Sequence, residues 1–396
     1  MRGLPKTLAL LLLVLMIAGA SYFAGFGTYW FINQFQAPSA PAVSEPEQFK
    51  VFWEAWDIVE REFYGELPTF QEMTYSAIRG MLKSLDDPNT VFIEPQLHEL
   101  EKTDLKGSFE GIGAVVTMED GHLFVVFPME GQPAMKAGIK AGDEIIKVDD
   151  KEIAGLSLVE AVLLIRGPRG TKVRLTILRE GEPEPLIFEV IRDRIETPTV
   201  AWKLLEEGIG YVRISILGDR TKAELIEALQ ELEREGMTAL VLDLRNNPGG
   251  TLRASIEVAS QFLKEGIVLY ERDSEGNERA FRVQRGGLAT DIPLAVLVNE
   301  GSASASEIVA GAIQDHGRGV LIGERTFGKG FVQHAHELSD GSGLHVTVAI
   351  WLTPNRREIG DKGLLPDIVV PLTKEDIAKG EDTQLDRALE YLKTGR

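Results

Sequence analysis

Residues 294–334 read LAVLVNEGSASASEIVAGAIQDHGRGVLIGERTFGKGFVQH, and this order of textures leaves the chain few folds. The run 294–298 is apolar and β-branched, bounded by Pro293 and Asn299, and predicts a buried strand. Residues 301–306 are only glycine, serine and alanine, too short in side chain to fill a core. Ile308, Val309, Ala312 and Ile313 then recur at helical spacing, and Gly317 and Gly319 stop that helix. A second strand at 320–322 leads to Lys329, bracketed by Gly328 and Gly330. The pattern predicts serines at a helix N-terminus, where N–H groups and the macrodipole favour negative charge, with a lysine brought to them.

The neighbouring sequence continues the alternation. A strand at 208–215 precedes an amphipathic helix at 222–235, whose buried face carries Leu225, Ile226, Leu229 and Leu232. A buried strand at 238–244, a turn Asn246-Asn247-Pro248-Gly249-Gly250 and a helix at 251–263 follow. Strands and helices in alternation indicate a layered α/β core. A terminal helix at 382–393 presents Leu385, Ala388, Leu389 and Leu392.

Spacing alone does not choose among Ser302, Ser304 and Ser306, because alternate residues of an extended approach share a face. A GxSxG elbow is absent, and a serine-rich helix cap is the plain alternative. Lys329 shifts that balance, since its glycine neighbours give it little local packing. A lysine is a base only when neutral, burial favours the neutral form, and Ser–Lys pairs are a known alternative to His-assisted ones. GERTFGKG nearly fits a phosphate-binding loop but has Gly330 where Ser or Thr would hold magnesium. His334 and His336 share a strand face, yet His336-Glu337 lacks the second histidine of a zinc helix. No cofactor and no metal is expected. The chain has no cysteine, which excludes disulfides and thiolate chemistry, and its net charge of −19 argues against a nucleic-acid partner.

The amino-terminal region has its own logic. Arg2 and Lys6 precede 25 uncharged residues, 8–32, enough for a helix that needs about 20 to cross a bilayer. Tyr29, Trp30 and Phe31 lie where an aromatic belt belongs. Residues 1–35 are expected to be a single-pass signal anchor of the cell membrane, with the rest extracytoplasmic. A signal peptide cleaved near Ala18-Gly19-Ala20 is the rival. Residues 36–46 form a Pro/Ala/Ser linker, and 47–106 look helical, with Phe49, Phe52, Trp53, Trp56 and Val59 on one packing stripe and Met73, Ala77, Met81 and Leu85 on another.

Residues 107–192 change to short strands, glycines and one amphipathic helix opened by Ser157. Gly111-Ile112-Gly113-Ala114, the run PAMKAGIKAGDEIIKVDD and the close RGPRGTKVRLTILR resemble a PDZ domain. Successive N–H groups of a Gly-x-Gly turn can hold a carboxylate, and the following strand can pair with an extended peptide. Gly111, Ile112, Gly113, Ala114, Leu158 and Val162 are the expected tail-binding residues.

NEGSASASEIVAGAIQDHGRG followed by GERTFGKGFVQ, with DLRNNPGG and GLLPDIVV, is similar to the signature of the carboxyl-terminal processing peptidases, or tail-specific proteases. The resemblance implies an α/β fold: a crotonase/Clp-protease-like β-α core at 193–396 with an inserted PDZ domain and an N-terminal helical segment. It implies a serine endopeptidase that captures apolar C-terminal tails of proteins, with Ser304 as nucleophile, Lys329 as base and Gln333 orienting the lysine. Oxyanion donors would be the Ala305 N–H and one from the Gly249-Gly250 turn, and Arg166 would couple tail binding to activity. In a regular strand Lys329 and Gln333 lie about 13 Å apart, so the glycines must bend the chain. A non-catalytic tail-binding scaffold is the alternative, and a homo-oligomer stays open.

Overall fold

Strands 200–204 to 368–369 build the central sheet, in the order Val200–Leu204, Ile209–Ile214, Ala239–Asp243, Leu294–Val298, Val320–Gly323, Ile368–Val369. The first pair is antiparallel and the rest are parallel. The computed structural model describes residues 47, 49–360, 362–373, 376 and 379–395. Both faces of the sheet are covered, which is why its strands are near-continuous apolar runs. Leu240, Leu242, Val296 and Val298 point to one face and pack under helices Thr221–Arg234, Leu252–Phe262 and Ala305–Asp315. Val241, Ala295 and Leu297 point to the other, against Ala388 and Leu385 of helix Thr383–Thr394.

A second sheet is entirely antiparallel: Val91–Ile93, Gly343–Leu352, Ile267–Asp273 and Glu278–Arg282, with Phe331–Glu337 also pairing Gly343–Leu352. Apart from the strand that carries His334 and His336, its strands are not legible in the sequence, because they are half-buried and broken by turns and bulges. The expectation of a helical segment at 47–106 needs correction at Val91–Ile93, which is a strand. Three residues are too few to show a period, and the strand is defined by its partner.

The PDZ region forms its own sheet, Ala114–Glu119, His122–Pro128, Glu144–Val148, Lys172–Leu178 and Leu186–Ile191. Helix Leu158–Ile165 is capped by Ser157, whose N–H donates to Glu160 Oε2 at 2.7 Å. Strands Ser108–Gly111 and Asp193–Glu196 pair to form the stem where the chain enters and leaves.

The described residues up to Met73 belong to one compact unit, and the described residues from Thr74 onward to another. In the first, helix Phe49–Glu62 buries no residue; its aromatic stripe is tied by ring contacts, Trp56 to Phe70 at 5.0 Å among them. The expected anchor at 1–35 and linker at 36–46 lie outside the described residues. No helix among the described residues is long and apolar enough to cross a membrane.

Arg245 fastens the terminal helix to the core. It donates to Asp243 at the end of its strand (2.6 Å) and to both carboxylate oxygens of Asp382, the cap of Thr383–Thr394 (2.7 and 2.9 Å). Its side chain is 11% exposed and Asp243 is 1% exposed, so removing the cation strands a buried carboxylate. Arg245→Ala is expected to lower the unfolding free energy by about 3–5 kcal/mol in urea titrations.

Candidate active site

Two turns leave the carboxyl ends of neighbouring parallel strands, with Asp243 in register with Leu297, and emerge side by side. They are stitched together by amides. The Asn246 N–H donates to Asn299 Oδ1 (2.8 Å), and Asn299 Nδ2 donates back to Asn246 Oδ1 (3.0 Å). The carbonyl of the fully buried Asn247 accepts from the Ala303 N–H (3.0 Å) and from Ser306 Oγ (2.9 Å).

The three serines separate in this setting. Ser302 is fully buried; its hydroxyl donates to the Leu244 carbonyl (2.8 Å) and accepts from the Asn299 N–H (3.0 Å). Ser306 is fully buried, its hydroxyl held between the Asn247 and Ala303 carbonyls. Ser304 is half-buried and lines a cavity of about 650 Å³ together with Lys329 and Gln333. Its backbone sits at φ 54°, ψ −117°, a region nearly closed to residues with a Cβ. The strained turn from strand to helix has the sharpness of a nucleophile elbow without that motif's glycines.

Glu307 holds this turn against the lysine loop. It is fully buried, and its Oε2 accepts from both the Ser304 N–H (2.8 Å) and the Lys329 N–H (2.9 Å). Its Oε1 accepts from Thr326 Oγ1 (2.5 Å) and the Gly328 N–H (2.8 Å). Burial pushes the Glu307 carboxyl up, against these four bonds, which favour the charged form. Sequence reasoning missed it, because an acid three residues after a serine reads as an ordinary capping box.

The bend required at Lys329 is present. The Gly330 N–H donates to the Gly328 carbonyl (3.1 Å), a three-residue turn centred on the lysine, with Gly328 at φ +92°. A Cβ on Gly330 would lie 2.1 Å from the Gly360 nitrogen. Gln333 follows a register shift between Val332 and Gln333, and its Nε2 donates to the Asn89 carbonyl. Among the described residues no hydrogen bond joins Gln333 to Lys329.

Gly249 approaches Ser304 so closely that a Cβ would lie 2.8 Å from the Ala303 carbonyl and 2.9 Å from the Ala305 nitrogen. Its N–H donates to Asn247 Oδ1 (2.9 Å). The bridge to Leu217 uses the Gly249 carbonyl and the Thr251 N–H, and leaves the exposed Gly250 N–H out. The cavity wall opposite includes His98, Glu101, Lys102 and Leu105 of helix Pro95–Leu105, and His345. Burial pushes the His345 imidazole down, while Glu101, 3.5 Å away, acts in the other direction. Among the described residues no three His, Cys, Asp or Glu side chains are grouped to hold a metal.

In the PDZ region, Ile112 is buried in the domain core, Leu158 is exposed and Val162 half-buried on the helix, and Ala114 opens its strand. Gly111 closes the stem strand, and Gly113 lies at φ +70° with no room for a Cβ beside Gln132. Arg166 ends the helix; its guanidinium lies 4.1 Å from the centre of the Phe109 ring and 3.6 Å from Asp104, and donates to Thr103 (3.2 Å). A cavity of about 590 Å³ opens there, lined by Leu100, Thr103, Phe109, Leu163 and Arg166. Of the tail-binding and coupling residues expected from the sequence, this cavity contains only Arg166.

Residues 208–370 match the model of peptidase family S41, and 124–179 match that of the PDZ domain. The chain is 38% identical over 384 residues to a carboxyl-terminal-processing protease of Synechocystis sp., covering 90% of this chain and 89% of that one. It is 37% identical over 342 residues to a carboxy-terminal processing protease of Bacillus subtilis, covering 86% and 72%. Among solved structures, the photosystem II D1 C-terminal processing protease is 33% identical, with a TM-score of 0.50 over 83% of this chain and 94% of that one.

Stability should sort the serines as the geometry does. Ser302→Ala leaves the Asn299 N–H without its acceptor and is expected to lower the unfolding free energy by about 1–3 kcal/mol, whereas Ser306→Ala removes a hydroxyl from carbonyls that keep backbone donors and should lower it by about 0.5–1.5 kcal/mol. Ser304→Gly should raise it by about 1 kcal/mol, because the strained φ costs glycine nothing. Urea titrations of the three variants check this.

Proposed function

Because the chain belongs to the carboxyl-terminal processing proteases of peptidase family S41 and carries a PDZ domain, we propose that it cleaves protein tails with a Ser304/Lys329 dyad. The observation that carries this reading is the shared cavity: Ser304 on a strained turn and Lys329 in a tight one, their main-chain amides on the same Glu307 oxygen. Neutral Lys329 takes the Ser304 proton as Oγ attacks the scissile carbonyl. The carbonyl oxygen, now negative, is met by the Ala305 N–H at the helix N-terminus and the Gly250 N–H. The lysine ammonium then protonates the departing amine, giving an acyl-enzyme, and the same lysine activates the water that releases it. Gly249 contributes absence of bulk rather than a donor, since its own N–H is taken. Gln333 orients the lysine.

The domain division that supports this reading is PDZ at 107–192 and peptidase at 193–396. Tails with apolar ends pair with the PDZ strand near Gly111, Ile112, Gly113 and Ala114, with Leu158 and Val162 on the facing helix. Arg166 relays occupancy through helix Pro95–Leu105. One side of that helix, Leu100 and Thr103, lines the cavity beside Arg166, and another, His98, Glu101 and Lys102, lines the catalytic cavity. The uncharged run 8–32 anchors the protein in the cell membrane, with the catalytic part outside the cytoplasm.

Incubation of residues 36–396 with an unfolded protein tests the dyad. Ser304→Ala and Lys329→Ala should each lose about a thousandfold or more of the activity. Cleavage by Ser304→Ala at the parental rate would remove the assignment, and tail binding without cleavage by the parent would make the chain a scaffold. The kcat/KM of the parent should rise as pH is raised, since the base must be neutral. An acid optimum would point to another base.

A further inference from the structure

Gln333 is held by a turn 244 residues away in sequence, through its Nε2 donating to the Asn89 carbonyl. That turn, residues 87–90, joins helix Phe70–Lys83 to strand Val91–Ile93. It is folded around one carboxylate. Asp87 Oδ1 accepts from the Asn89 N–H (3.0 Å) and Asn89 Nδ2 (3.3 Å). Asp87 Oδ2 accepts from the Thr90 N–H (3.1 Å) and Thr90 Oγ1 (2.6 Å). Burial alone would push the Asp87 carboxyl up, but hydrogen bonds, those from Thr90 and Asn89 among them, outweigh it and hold it at about 2. It is therefore ionised, an acceptor on both oxygens, at any working pH.

The turn is also fastened to the strand beside Gln333. Thr90 Oγ1 accepts from the Thr347 N–H (3.1 Å), and Thr347 is the register partner of Gln333. Val91 continues the same edge opposite His345. The register shift between Val332 and Gln333 falls at this position, and such bulges re-aim a side chain. Bulge, carbonyl and threonine clamp all act on a glutamine that shares a cavity with Ser304 and Lys329.

We propose that Asp87 is a positioning residue for hydrolysis, because it locks the Asn89 carbonyl that fixes which way the Gln333 amide faces. A carbonyl only accepts, so it selects the amide nitrogen and leaves Oε1 as the acceptor for the Lys329 ammonium. With the turn loosened, the amide rotates and offers N–H groups to a cation that has no acceptor. This rests on the roles given above to Ser304, Lys329 and Gln333.

The test measures kcat and KM on an unfolded protein substrate for Asp87→Ala, Thr90→Val, Gln333→Ala and the Asp87→Ala/Gln333→Ala pair, with thermal melts alongside. Asp87→Ala should lose about tenfold or more in kcat with KM within about twofold. The pair should be no worse than Gln333→Ala alone, because both changes break one device. A merely structural role would make the two losses multiply, and that result overturns the proposal. So does parental kcat in Asp87→Ala; if that variant does not fold, parental kcat in Thr90→Val, which removes two hydroxyl hydrogen bonds, decides the same way. Parental kcat in Gln333→Ala would instead overturn the role of the glutamine itself, and the proposal with it.

Discussion

One buried carboxylate holds the site together. Glu307 is removed from water, which costs several kcal/mol for an ion. Its four hydrogen bonds offset part of that cost, while burial still pushes its carboxyl up. The consequence is geometric. Helix Ala305–Asp315 cannot move relative to the loop 326–330 without stranding the charge, so serine and lysine travel as one body. The strained Ser304 dihedral persists because its own N–H is one of the four donors.

Around that tie, the parallel sheet and the antiparallel sheet divide the work. The parallel strands deliver two turns at their carboxyl ends, tied together by Asn246, the buried Asn247 and Asn299. The antiparallel sheet delivers the glutamine on strand Phe331–Glu337, with the lysine in the turn just before that strand, and uses its register to decide where the glutamine sits. Neither sheet contains the site alone. Gly249 marks how close the two parallel-sheet turns come, since its missing Cβ is what allows its turn to lie against Ser304 and Ala305.

Much of this was legible before any coordinates. The periodicity of 222–235 and the apolar runs 238–244 and 294–298 placed the layered core, and the glycines around Lys329 called for the bend that is found. The choice among serines was not legible, because spacing of two carries no information about burial. Hydrogen bonds from Ser302 and Ser306 to carbonyls of distant turns separate them. Glu307 and Asp87 were passed over for the same reason: each looks like a local cap or turn residue, although Glu307 also binds Thr326, Gly328 and Lys329, and the turn that Asp87 folds reaches Gln333 and Thr347. Of the antiparallel sheet only the strand at His334 and His336 was legible, because the other strands owe their conformation to partners rather than to their own pattern. The PDZ motif was read correctly as a motif, but the inward burial of Ile112 follows from core packing that no short motif reveals.

Helix Pro95–Leu105 stands between two cavities and shares a different side with each. A small molecule lodged beside Arg166 would therefore press on a wall of the cavity that Ser304 and Lys329 share without entering that cavity. A ligand of that kind would draw its selectivity from Phe109 and Leu163 rather than from the residues around Ser304 and Lys329.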